Sequence, residues 1–157
     1  MKKTRIQAGL AGTAALALIG ATVAWVAPAT GQQSLPGVKV YKSPTCGCCS
    51  KWVDHLRENG FEVTTEDVAD IAAVKSTHGV PPALGSCHTA VIGNYVVEGH
   101  VPADVVKRML REKPAFAGIA VPGMPIGSPG MEVGDRRDPY SIVSFDRSGT
   151  HEVYEKR

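Results

Sequence analysis

Three features are missing from this chain, and each absence narrows what it can be. The first is an excess of positive charge. The sequence carries 17 Lys+Arg against 15 Asp+Glu, a formal net charge of +2. Lys2, Lys3 and Arg5 stand at the extreme N-terminus, and without those three the 17 cations become 14 against 15 anions, a net of about −1. Such a balance offers no basic footprint for a nucleic acid. The second absence is a long apolar run after residue 29, so the body of the chain has nothing with which to cross a bilayer. The third is internal repetition, which excludes solenoid and propeller arrays.

The first 29 residues read as a signal peptide. Lys2, Lys3 and Arg5 form a basic n-region, Ala8 to Ala27 is rich in Ala, Leu, Ile and Val, and Ala27-Pro28-Ala29 has the small-x-small form of a cleavage site. The competing reading is an uncleaved anchor, but alanines with Gly9, Gly12 and Gly20 make the stretch weakly apolar for that role. Export to the periplasm is therefore expected, with no membrane segment in the mature form. In that oxidising compartment the four cysteines of the chain must form disulfides or be protected by something else, and a metal is the obvious candidate.

Residues 30–37 form a polar linker. Val38 to Tyr41 reads as a buried strand ended by Ser43-Pro44. A helix begins around Cys46 and runs to Asn59, with Trp52, Val53 and Leu56 on its apolar face. Phe61 to Thr65 alternates as a second strand, and Asp67 to about Ser76 reads as a second helix ended by Gly79-Val80-Pro81-Pro82. Ala90 to Ile92 and Tyr95 to Val97 flank Gly93-Asn94 as a hairpin. Ala103 to Arg111 reads as a third helix. The order β-α-β-α-β-β-α predicts an α/β, thioredoxin-like domain over 38–113. The remaining residues, 114–157, read as an extension outside that unit. It comprises a Gly/Pro/Met-rich loop that cannot be regular structure for long, then a last hairpin from Tyr140 to Phe145 and Thr150 to Tyr154.

Cys46, Cys48 and Cys49 place three sulfurs within four residues, where a redox dithiol needs two. At a helix N-terminus a thiol faces unpaired N–H groups and the positive end of the dipole, which favours the thiolate. Three thiolates there repel one another, and a soft monovalent cation such as Cu(I) relieves the repulsion. The fold expectation brings Cys87 and His88 beside this trio, because the loop entering the hairpin strand passes the thiol motif. That loop usually carries a cis-proline, which is thought to keep metal away, yet no proline lies between Pro82 and Pro102. Met124 and Met131, in the related stretches PGMP and PGME, supply soft neutral thioethers; the alternative is that both merely cover apolar surface. His100, after Glu98-Gly99, reads either as a ligand or as a residue that orders its turn. His55 is expected on the exposed side of the first helix, and His78 and His151 receive no role.

The stretches Tyr41–Cys49, Cys87–Ala90, Glu98–Pro102 and Pro122–Glu132, in that order, resemble the CopG-type periplasmic copper-resistance proteins. The resemblance spans nearly everything after the signal segment. It implies a thioredoxin-like domain whose C-terminal extension helps to bind copper, and a role in copper tolerance that extends to interconverting Cu(I) and Cu(II) before export. It carries the C-x-C-C motif onto Cys46, Cys48 and Cys49, the Cys-His pair onto Cys87 and His88, and the methionines onto Met124 and Met131. Copper ions are the implied partners, with a periplasmic copper chaperone or an efflux system beyond them.

Physical reasoning reaches a compatible place. Four thiolates around one Cu(I) concentrate too much negative charge, whereas sulfur bridges two coppers readily, so a multinuclear centre is expected. Whether the chain is an enzyme acting on copper's oxidation state stays open. A thiol-disulfide oxidoreductase using Cys46 and Cys49 accounts for the fold and the C-x-x-C, but it leaves Cys48, Cys87 and the methionines idle. A passive domain with two disulfides, and a zinc site, are weaker alternatives.

Overall fold

β1 (Val38–Lys42) is the strand around which the first half of the chain is arranged. Its side chains alternate, with Val38, Val40 and Lys42 inward and Lys39 outward, the period-2 signature of a pleated strand. β2 (Val63–Asp67) pairs with it in parallel, and β3 (His88–Ile92) pairs on its other side, antiparallel. β3 turns into β4 (Tyr95–Glu98) through Gly93-Asn94, with Ile92 opposite Tyr95; Gly93 takes a positive φ of 59°, as a two-residue hairpin turn requires. This computed structural model describes residues 34–157. The signal segment expected at 1–29, and residues 30–33 of the linker, lie outside the described residues.

α1 (Gly47–Glu58) starts at Cys46, whose sulfur accepts the Cys49 N–H as an N-cap. Cys49, Trp52, Val53 and Leu56 fall at i, i+3, i+4 and i+7 and are the buried face of the helix. The helix stops at Asn59, followed by Gly60 at φ 86°. α3 (Ala103–Glu112) buries Ala103, Val105, Val106 and Met109 against the same core, which also takes in Val38, Val40, Ile92, Val97 and Ile119. Removing a side chain such as Leu56, which has no solvent exposure, costs about 2–5 kcal/mol. Among the described residues no helix is long and apolar enough to cross a membrane.

The mixed α/β class, with one sheet and three α-helices among the described residues, is as expected. Three details differ from the sequence reading. β2 runs on to Asp67, because Lys42 at the end of β1 reaches across to the Asp67 carboxylate at 2.7 Å. α2 is correspondingly short, Ile71–Thr77, and begins after Asp70, whose side chain caps the Ala73 N–H. The third difference is in the tail. β5 (Gly118–Ala120), in a stretch that reads as irregular, lies parallel to β4, and β6 (Ser141–Phe145) and β7 (His151–Lys156) follow antiparallel. The result is one seven-stranded sheet in the order β2-β1-β3-β4-β5-β6-β7, so the tail's strands hydrogen-bond onto the unit they were expected to stand outside. Gly118 makes the close approach possible, since a Cβ there would meet the Val96 carbonyl oxygen at 2.3 Å and the Phe145 ring at 2.6 Å.

Candidate metal centre

The N-terminus of α1 and the start of β3 meet at one end of the sheet, and the four cysteines meet with them. The Sγ atoms of Cys46, Cys48, Cys49 and Cys87 all lie within 4.8 Å of one another. Cys46 and Cys49 are joined as a disulfide, while Cys48 and Cys87 are free thiols. Cys48 Sγ stands 3.5 Å from Cys46 Sγ and 3.9 Å from Cys87 Sγ. Cys48 thus links the helix sulfurs to a sulfur 39 residues further along the chain. The pairing leaves no second bridge, contrary to a domain held by two disulfides.

Cys87 belongs to a second group with His88 and His100, whose nitrogens also lie within 4.8 Å of it and of each other. His100 Nε2 stands 3.0 Å from Cys87 Sγ and His88 Nδ1 3.3 Å from it. The backbone fixes the tautomer of His100: its Nδ1–H donates to the Pro129 carbonyl at 2.8 Å, which leaves the Nε2 lone pair facing the thiol. Both imidazoles have no solvent exposure, and their rings meet edge to face at 5.0 Å. Trp52 covers His88 from the helix side at 4.4 Å between ring centroids, its indole N–H held by the Val101 carbonyl. His88 Nε2 is buried with no hydrogen-bond partner, an arrangement that costs free energy unless something else engages that nitrogen.

These surroundings disfavour charge. Burial first, then the charge and hydrogen bonding of Cys48, push the Cys87 thiol up to about 12. Burial, reinforced by the charges of His100 and Lys75, holds His88 well below its ordinary 6.5. Burial also lowers His100, although the Pro129 carbonyl and the Glu132 charge act the other way. Cys87, His88 and His100 are therefore held as neutral donors, and a cation that displaces the Cys87 proton would supply the charge that these surroundings otherwise refuse.

The Gly/Pro-rich loop reaches the cluster from two directions. Gly123, beside Met124, donates its N–H to the Gly85 carbonyl and accepts the Ser86 hydroxyl, next to Cys87. Gly130, beside Met131, lies on α1 so closely that a Cβ would meet the Cys48 carbonyl oxygen at 2.8 Å and the Trp52 nitrogen at 2.9 Å. Pro129 holds His100, as described above. Met124 is 53% exposed, and Met131 is half-buried. The backbone thus anchors both methionine stretches against elements that carry the sulfurs.

Two solved structures of a copper resistance protein, copG forms 1 and 2, are 50% identical to this sequence. Each match covers 78% of this chain and 98% of the other, with TM-scores of 0.74 and 0.75. The chain belongs to the CopG family. A family model described as a protein of unknown function, DUF411, matches residues 84–131, from the turn before Cys87 to Met131. No curated protein matches.

In this CopG-family chain the other histidines are placed as follows. His55, expected in solvent, is half-buried, and its Nε2 accepts the Ala103 N–H at 3.1 Å. It supplies the cap that Pro102 cannot give α3, and burial lowers its pKa. His78 stacks beside Tyr41 at 5.4 Å, and His151 is exposed in the last hairpin. The sequence reading missed Glu98 and Lys75, which form a buried ion pair beside the Cys87 loop. A carboxylate two residues before His100 is a weak signal on its own, since its partner comes from α2.

Proposed function

We propose that this protein binds copper in a sulfur-rich centre and serves copper resistance in the periplasm. One observation carries the reading: four cysteine sulfurs from two separate parts of the chain converge within 4.8 Å, with two buried imidazoles on the fourth. Thiolate, thioether and neutral imidazole are the donors that suit Cu(I), and His88 Nδ1 and His100 Nε2 both stand against the Cys87 sulfur. Cys46, Cys48, Cys49 and Cys87 would hold the metal with His88, His100 and Met131, and Met124 would close the exposed side. Bound copper supplies a one-electron couple, and interconversion of Cu(I) and Cu(II) with an external electron partner is the activity assigned to it. Four sulfurs able to bridge favour several copper ions over one. The names of the 50%-identical structures support copper resistance as the setting. A periplasmic copper chaperone or an efflux system is the proposed partner on either side of the protein.

Titration of the fully reduced chain with Cu(I) under exclusion of oxygen tests the reading. Saturation at several equivalents, with a charge-transfer band that changes on oxidation, is expected. Saturation at one equivalent would remove the multinuclear part, and no tight uptake would remove the whole proposal.

The Cys46–Cys49 disulfide favours a second reading, thiol-disulfide exchange by the metal-free protein. Reduction of insulin by the metal-free dithiol form, at rates well above those of free thiol, would support that activity.

A further inference from the structure

Glu98 ends β4 with no solvent exposure, and both of its carboxylate oxygens are engaged. Oε1 accepts the Ser86 N–H at 2.6 Å and the Lys75 ammonium, and Oε2 accepts the Thr89 hydroxyl at 2.7 Å. Ser86 and Thr89 are the residues on either side of Cys87-His88. A single carboxylate therefore grips both ends of the segment that carries the shared thiol. Lys75, whose side chain is 15% exposed, also donates to Thr89 Oγ1 at 3.2 Å, tying this grip to α2. Gly99, at φ +70°, allows the close approach, because a Cβ there would meet Ser86 Oγ at 2.5 Å and the Val121 carbonyl oxygen at 2.7 Å. Past it, His100 Nε2 stands 3.0 Å from Cys87 Sγ. The end of β4 and the turn after it thus present a carboxylate and a ring to the same four-residue stretch, Ser86 to Thr89.

A buried ion pair is a poor source of stability, since an apolar pair of similar volume usually serves as well or better. This one is spent on the loop that bears the site. We propose that Glu98, completed by Lys75, is the positioning residue of the metal centre: it sets Cys87 and His88 against the cysteines of α1. Its oxygens are taken up by Ser86, Lys75 and Thr89, so it acts through Cys87 and not on the metal. The inference rests on the copper-binding reading for its consequence, though the placement of the thiol can be tested without copper.

The test uses the reduced full chain with the double variant Lys75→Met/Glu98→Leu, which removes both charges together, and with Glu98→Gln, which keeps the shape. Three quantities are read: the thermal midpoint, the alkylation rate of Cys87 followed by peptide mass spectrometry without copper, and Cu(I) affinity against a competing chelator. The double variant is expected to melt below the wild-type temperature, because the Ser86 N–H and the Thr89 hydroxyl lose their acceptor, while its Cys87 alkylates faster. Its Cu(I) affinity should fall about 10- to 100-fold, the range seen when partners behind metal ligands are lost. A folded double variant with wild-type alkylation and wild-type affinity overturns the proposal. Should the double variant not fold, the same two readings on Glu98→Gln decide, and wild-type values there overturn it equally. If the wild type itself takes up no Cu(I), the copper reading fails, and the alkylation contrast alone rules on the positioning role.

Discussion

The cysteines of α1 and the Cys-His group of β3 and β4 contribute to one centre from opposite physical settings. Cys46 and Cys48 sit at the open end of a helix, with Gly47, Ser50 and Lys51 exposed around them. His88 and His100 have no solvent exposure, and Cys87 is held between their rings and a buried carboxylate clamp. The helix side carries the Cys46–Cys49 disulfide beside the free thiol of Cys48. The sheet side is fixed before any metal arrives, so its donors need little rearrangement to bind. A partly exposed half facing a buried, clamped half would suit the proposed centre, which has both to admit and to hold a cation.

The largest break in this comparison comes from Cys87→Ser, which removes the sulfur common to both groups. Cu(I) affinity should fall by more than the roughly 100-fold that marks the upper range for partners behind the ligands, measured by chelator competition. An unchanged affinity would show that the α1 cysteines suffice. Oxidation comes next. Protein kept without reductant should show two free thiols, Cys48 and Cys87, when titrated in denaturant, and four after reduction, with copper capacity rising in step; thiol titration beside metal analysis checks both. Gly130→Ala places a methyl against the backbone of α1 at φ +86°. It should cost about 1–3 kcal/mol in urea unfolding and weaken copper binding through the neighbouring Pro129–His100 contact.

A smaller effect separates the two halves by pH. His88 is held neutral in the fold, well below its ordinary 6.5, and burial lowers His100 in the same direction. Above 6.5 both the folded and unfolded chains keep these rings neutral and stability is level. Below it the unfolded chain binds protons that the fold refuses, so stability falls as pH drops toward the folded pKa. The slope has a ceiling of about 1.4 kcal/mol per pH unit for His88 alone, and urea midpoints at pH 7.5 and 5.5 would reveal it. An equal midpoint at both values would contradict the buried neutral ring. The smallest change on stability is Met124→Ala. This exposed side chain should alter folding by less than about 0.5 kcal/mol while reducing Cu(I) affinity in the same competition assay.

Much of the site was legible in the sequence because local spacing dictates it. Three cysteines at a helix start announce themselves, and α1's apolar face follows from Trp52, Val53 and Leu56. The meeting of Cys87 with Cys48 required a fold expectation, and the convergence of the sulfurs agrees with it. What stayed hidden depends on contacts made across the chain. β5 is three residues long and is a strand because β4 and β6 offer it partners on both sides. His55 reads as a solvated helix residue until α3 brings the Ala103 N–H to it. Lys75 and Glu98 look like ordinary surface charges in sequence and become a buried pair through the packing of α2 on β3. The start of α2 was misplaced because Asp67 and Asp70 carry the same capping chemistry, and only the pairing of β2 with β1 decides between them.

The parallel seam between β4 and β5 has a consequence for any attempt to trim this molecule. A chain stopped at Lys113 would lose more than two methionines and a carbonyl brace for His100. It would also bare the hydrogen-bonding edge of Val96 and Val97, an open valine ladder that invites chain-to-chain stacking. The same forty-odd C-terminal residues that would complete the proposed metal centre therefore also cover the sheet edge, so removing them would change both at once.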